Sequence, residues 1–170
     1  MAAAARTVAS RFSIIVPAGK ASPQPPVGSA LGQRGLKLMD FCKAFNDQTA
    51  IFKEGTPIPV KVTAYADRSF TFDWFYPRAA YLLKKAAGVE KAATRPGHQL
   101  VGRVSVQQIY EIASLKIKDF EKKHKRVPLR TLARSLVGQC RSMGLQVYLP
   151  AGSAVKPPDF IAAGAAVKNS

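Results

Sequence analysis

The residues best placed to do chemistry are Arg134, Gly138 and Arg141, followed at once by Ser142, Met143 and Gly144. The first three recur at helical spacing, so they fall on one stripe of a helix. Two guanidinium forks flanking a bare backbone suit a phosphate-bearing partner, because arginine binds phosphate through paired, charge-assisted hydrogen bonds. A glycine inside a helix costs about 1 kcal/mol relative to alanine. On an outward stripe core packing does not require it, but it lets another backbone come close. Ser142, Met143 and Gly144 then offer a hydroxyl, an apolar group and a second bare backbone, with Ser135 and Gln139 alongside. The plainer reading of the same residues is a solvated basic face with an incidental glycine.

Catalytic chemistry is poorly represented. The two histidines, His98 and His124, have no cysteine or acid at useful spacing. There is no CxxC, no HxxxH, no phosphate-cradling GxxxxGK[ST] and no GxSxG, so the usual signatures of metal, nucleotide and acyl-transfer sites are missing. The sequence predicts no enzyme, no cofactor and no metal. Cys42 and Cys140 lie in apolar contexts and read as two reduced core thiols.

Charge supplies the strongest global signal. Lysine and arginine number 26 against 10 acids, a net +16. Solubility needs far less than that, and a polyanionic partner accounts for the excess better than scattered lysines do. Residues 79–149 hold 14 basic and 4 acidic residues, net +10, whereas residues 12–78 hold 8 and 5, net +3. The polyanion is therefore expected on the second half. No run of about 18 apolar residues is present, and no membrane partner or homo-oligomer is expected.

Those residues need elements to hold them. From Pro128 onward Leu129, Leu132, Ala133, Leu136, Val137 and Cys140 form the cleanest apolar helical stripe in the chain, and Arg134, Gly138 and Arg141 lie opposite it. Gly144 stops that helix, and Leu145, Val147 and Leu149 alternate as a closing strand. Upstream, Ser105-Val106-Gln107-Gln108 is a capping box opening a helix with Ile109, Ile112 and Ala113 inward. Its end is expected to dissolve into the charged run KDFEKKHKR. Residues 79–87 predict a short helix stopped by Gly88. Residues 88–104, with three glycines, a proline, Lys91, Arg95, Arg103 and His98, predict a mobile basic loop of the kind that orders on RNA.

The first half reads differently. Phe12 to Val16 is a β-rich run, and Leu38, Phe41, Cys42 and Phe45 make one helical face. Alternation at Val60, Val62 and Ala64, then at Phe70, Phe72 and Trp74, predicts a hairpin turning at Ala66-Asp67-Arg68. Between the first strand and the helix stands SPQPPVGSALGQ, whose Pro23, Pro25 and Pro26 predict a stiff, extended bracket before Gly28. The fold class is α+β: a small N-terminal α/β sandwich over 12–75, then a three-helix, homeodomain-like domain over 76–149 that breaks away at Tyr76-Pro77. Residues 1–11 form an N-terminal extension and residues 150–170 a weakly ordered tail. The first acid is Asp40, and MAAAARTVASR carries arginine, serine and alanine, a composition like that of an organellar transit segment or an ordinary frayed terminus. Three helices ending in a basic one also suit a helix-turn-helix DNA regulator. That recognition helix usually carries asparagine or glutamine base readers near its start, whereas close backbone approach fits a shallow RNA groove better.

Four segments, PAGKASPQPPVGSALGQRGLKLMDFCKAFND, IPVKVTAYADRSFTF, LLKKAAGVEK and RSLVGQCRSMGLQV, in that order, resemble the ribosomal protein L-eleven family of the large subunit. The resemblance covers roughly residues 12–149. VPLRTLARSLVGQCRSMG after IYEIASLKIKDFEKK looks closer to the mitochondrial branch than to the bacterial one. It implies a C-terminal domain that binds large-subunit rRNA at the GTPase-associated centre. Carried over by motif, the contacts are Lys84, Gly88, Lys116, Gly138, Ser142, Met143 and Gly144, to which the charge argument adds Arg134 and Arg141. It also implies an N-terminal domain facing elongation-factor GTPases at the stalk base, among stalk-base ribosomal proteins. In bacterial members its proline bracket, here Pro23, Pro25, Pro26 and Gly28, lines a thiopeptide-antibiotic site against rRNA. The implied location is the mitochondrial matrix, with bacterial cytoplasm or plastid as alternatives. Gln139 stands where a small hydroxyl residue is common, and Ser29 replaces a frequent proline, so contact at the first and stiffness at the second differ from the family pattern.

Overall fold

The computed structural model describes residues 7–122 and 126–149, so the 150–170 tail, His124 and the first residues of the N-terminal extension lie outside the described residues. The chain divides into two compact units, Met1–Arg78 and Ala79–Ser170.

In the first unit an antiparallel sheet runs in the order β1 (Val8–Pro17), β2 (Pro57–Tyr65), β3 (Phe70–Trp74). Register stacks Phe12, Val62 and Phe72 across the three strands, and Ile14, Val60 and Trp74 beside them. The period-two alternation thus sends one face inward, where α1 (Val27–Gly32) and α2 (Leu38–Thr49) cover it. Phe41 of α2 stacks on Phe45 at 5.9 Å and meets Phe72 edge-on at 5.2 Å, the offset geometry aromatic rings prefer. The hairpin turns as expected. Arg68 sits at φ 61° and Ser69 N donates to Asp67 Oδ1 at 3.0 Å, an Asx contact that supports the turn. Strand β1 begins at Val8, four residues earlier than the apolar run suggested, because its ladder with β2 continues to Tyr65 past an irregularity at Val8/Ser10.

The proline stretch is not the extended bracket its composition implies. It folds into a tight turn: Pro26 adopts φ −88°, ψ −11°, and Gly28 N donates back to Gln24 O at 3.1 Å. The Pro25–Pro26 peptide bond is cis. Helix α1 starts directly after the last proline, where the missing N–H does not matter.

The second unit packs α3 (Ala79–Ala86), α4 (Val106–Lys122) and α5 (Leu129–Ser142) around Leu83, Ile109, Ile112, Ala113, Leu132, Leu136 and Cys140. Ser105 N donates to Gln108 Oε1 at 3.0 Å and Gln108 N to Ser105 Oγ at 3.2 Å, so the capping box forms. Helix α4 ends at Lys122, inside the charged segment, and enters it that far because Ile117 and Phe120 still reach the core while Lys118, Glu121 and Lys122 face out. One expectation fails: β4 (Gly102–Ser105), expected to belong to a loop, pairs in parallel with β5 (Leu145–Tyr148). Both cysteines are free and buried, Cys42 in the first core and Cys140 in the second. Burial pushes the Cys140 thiol up to about 11 and raises that of Cys42.

Candidate nucleic-acid interface

Helix α5 is amphipathic in the strict sense that its two faces do different work. Leu132, Leu136 and Cys140 are buried, while Arg134, Gly138, Arg141 and Ser142 are exposed. At Gly138 an added Cβ would meet no heavy atom within 4 Å, so nothing in the fold asks for glycine there. The helix has no acid in its first turn and Arg141 in its last, which suits the negative C-terminal end of its dipole. It ends where Met143 N donates to Cys140 O and Gln139 O at 3.0 and 3.1 Å, and Gly144 N to Arg141 O at 3.2 Å. Ser142 Oγ donates to Gln139 O at 2.8 Å, which holds the hydroxyl at the helix end.

Met143 and Gly144 behave differently from their neighbours. Met143 is 8% exposed and belongs to the core. Gly144 is buried at φ +72°, a backbone region that favours glycine. The loop expected to be mobile is fastened here. Ala93 N donates to Met143 O at 3.0 Å and Val101 N to Gly144 O at 2.9 Å. Within it Arg95 O accepts from His98 N and Gln99 N, while Lys91, Arg95, His98 and Arg103 remain exposed.

Gly88, at φ +68°, closes α3. Its N–H reaches Lys85 O at 3.2 Å and Val89 N reaches Lys84 O at 3.0 Å, the paired bonds of a Schellman end. Lys84 is half-buried and its ammonium donates to Glu90 O at 3.2 Å. Lys116 differs from the other basic positions: its ammonium pairs with Asp119, whose side chain is 5% exposed, one turn along α4. That buried acid gave no sequence signal, since it lies inside a solvent-type charge run.

In the first unit Pro23, Pro25 and Pro26 are exposed and Gly28 is half-buried. A Cβ at Gly28 would collide with the carbonyl oxygen of Pro23, so the turn itself requires glycine. The approach to the turn is gripped from α2. Asn46 accepts from Ala21 N at 3.0 Å and donates to Ala21 O at 3.3 Å, and Gly19 N donates to Thr49 Oγ1 at 3.3 Å. These two holders escaped sequence reasoning, because a polar residue on a helix flank looks solvated until the loop segment it holds is placed. Among the described residues no three His, Cys, Asp or Glu side chains gather as metal ligands, and no helix is long and apolar enough to cross a membrane.

The second unit thus turns two exposed arginines and an open glycine outward from α5. Residues 75–147 match the model of ribosomal protein L11, RNA binding domain, which makes this a large-subunit ribosomal protein with an RNA-binding domain. Residues 12–70 match ribosomal protein L11, N-terminal domain. The chain belongs to the ribosomal protein L11 family.

Proposed function

We propose that this protein docks through its second unit on the GTPase-associated centre of large-subunit rRNA, at the stalk base. The observation that carries this is the exposed Arg134, Gly138, Arg141 and Ser142 stripe opposite the buried face of α5. Phosphates meet the guanidinium groups, and the open space over Gly138 admits an RNA backbone that any side chain would hold off. Lys84, Gly88, Met143 and Gly144 shape the same end of the unit, the last two from within. Lys116 contributes through its Asp119 pair rather than as an unengaged cation. The first unit offers the exposed turn of Pro23, Pro25 and Pro26, set by Gly28, to translation elongation-factor GTPases and neighbouring stalk-base proteins.

Binding of the whole chain to a transcribed GTPase-associated-centre fragment, against duplex DNA of equal length and at matched salt, tests the reading. Affinity for the folded RNA should exceed that for DNA by at least tenfold. Equal affinities would reduce the interface to charge alone and leave a DNA-binding regulator in play. The setting proposed is the mitochondrial ribosome, supported by the acid-free stretch before Asp40 and by the α4–α5 sequence. A fusion carrying residues 1–20 should enter isolated mitochondria; failure to enter would move the setting to a bacterium or plastid.

A further inference from the structure

Three aromatic rings meet beside the end of β3 in the first unit. Phe52, Trp74 and Tyr76 form a closed triangle, with centroids 5.4 to 5.8 Å apart and planes crossing at 70 to 79°. That is the edge-to-face arrangement rings adopt when they pack on one another. Phe52 is set by the turn that closes α2, where its N–H donates to Thr49 O at 3.0 Å. Trp74 ends β3, and Phe75 N donates to Pro59 O at 2.9 Å, which carries the extended backbone one residue further. Alternation then puts Trp74 and Tyr76 on one side and the buried Phe75 on the other.

A trio that served only the core would be sealed, and this one is open. All three residues are only half-buried, and Ile51 beside Phe52 is 76% exposed. Lys53 follows Phe52 directly and Arg78 follows Tyr76 by two residues, and both are exposed. The acids next to them in sequence are engaged elsewhere: Glu54 lies 3.7 Å from Lys20, and Asp73 stands opposite Lys61 in the strand register. The patch is therefore both aromatic and cationic. That combination suits a nucleotide, because every base has a flat face to stack and its phosphates favour a lysine or arginine nearby. It also adjoins the RNA-binding region along the chain. The match to the RNA binding domain begins at residue 75, and three residues of chain, about 11 Å at full stretch, lead from Tyr76 to the start of α3.

We propose that Phe52, Trp74 and Tyr76 are a stacking platform for one unpaired base of the large-subunit rRNA, with Lys53 and Arg78 meeting its flanking phosphates. This rests on the RNA-binding reading above and extends it: the second unit grips the folded RNA, and the first unit holds a single base drawn out of it.

Trp74 is the only tryptophan in the chain, so its fluorescence reports on the platform alone. As the same rRNA fragment is added to the full-length chain, emission should drop along the binding curve, and acrylamide should quench what remains less effectively. Tyr76→Ala should weaken binding about five- to a hundredfold, the range for removing one stacked ring. The slope of log affinity against log salt should stay unchanged in that variant, because stacking displaces no counterions. Tyr76→Phe should bind as the unaltered chain does. The surface double variant Lys53→Ala/Arg78→Ala should instead flatten the slope by about 1.5, as expected for two lost phosphate contacts. Unchanged Trp74 emission at saturating RNA would overturn the proposal, as would full affinity in a stably folded Tyr76→Ala; either result would leave the rings to a protein partner. Should Tyr76→Ala fail to fold, the emission and acrylamide shielding of Trp74 in the unaltered chain decide by themselves. Loss of the tenfold RNA preference in the unaltered chain would instead sink the underlying function.

Discussion

Gly138 sits in mid-helix where alanine would be the favoured residue, and its Cβ position is open. Gly138→Val should therefore leave the stability of the second unit unchanged or raise it by a few tenths of a kcal/mol. Affinity for rRNA should fall by more than about 1 kcal/mol, because a branched side chain holds the partner backbone away. Thermal melting read beside RNA titration separates the two effects; a change confined to melting would make the glycine a feature of the fold. The basic stripe could be read in the sequence because helical periodicity fixes its face once the apolar stripe is known. The different settings of Gly138 and Gly144 could not. Only the return of a distant loop, carrying Ala93 and Gln99, distinguishes an open backbone from an occupied one. The same applies to Lys116, whose partner Asp119 is hidden within a charged run.

At the level of elements, what local pattern dictates came through and what depends on distant pairing did not. The hairpin, α2, α5 and the capping box of α4 each declare themselves within a dozen residues. Strand β4 has four residues and a parallel partner beyond two helices, so nothing near it announces a strand. The proline turn is hidden from local pattern for another reason. Proline restricts each residue separately, but the reversal is closed by Gly28, which gives the Pro23 carbonyl room, and by Asn46 and Thr49 holding its base. Gly28→Ala should accordingly cost the first unit about 1 to 3 kcal/mol in denaturant unfolding, the range for forcing extra volume into a packed site. RNA affinity, carried mainly by the other unit, should stay as it was. Unchanged stability would mean that the turn yields freely and is not a fixed shape.

For the molecule as a whole, the two cores share no residue and each contains one thiol. Leu136→Ala removes a side chain at 3% exposure in the second core and should destabilise that unit by about 2 to 5 kcal/mol. At pH 8 the buried Cys140 thiol, pushed up to about 11, is almost wholly protonated, and alkylation must wait for the core to open and the ordinary value to return. The substitution should speed labelling of Cys140 by one to three orders of magnitude and leave Cys42 at its original rate. Equal acceleration at both would show that the units unfold as one. The charge division along the chain, +3 against +10, already suggested this separation of labour.

The parallel pairing of β4 with β5 has a consequence in time. The basic loop and β4 wait on residues 143–148: Met143 and Gly144 receive the loop, and Leu145–Tyr148 receive β4. During synthesis these are nearly the last of the described residues to emerge, whereas the first core is complete by Trp74. The newborn chain thus completes its neutral-leaning half before the residues that fasten the basic loop and β4 are made.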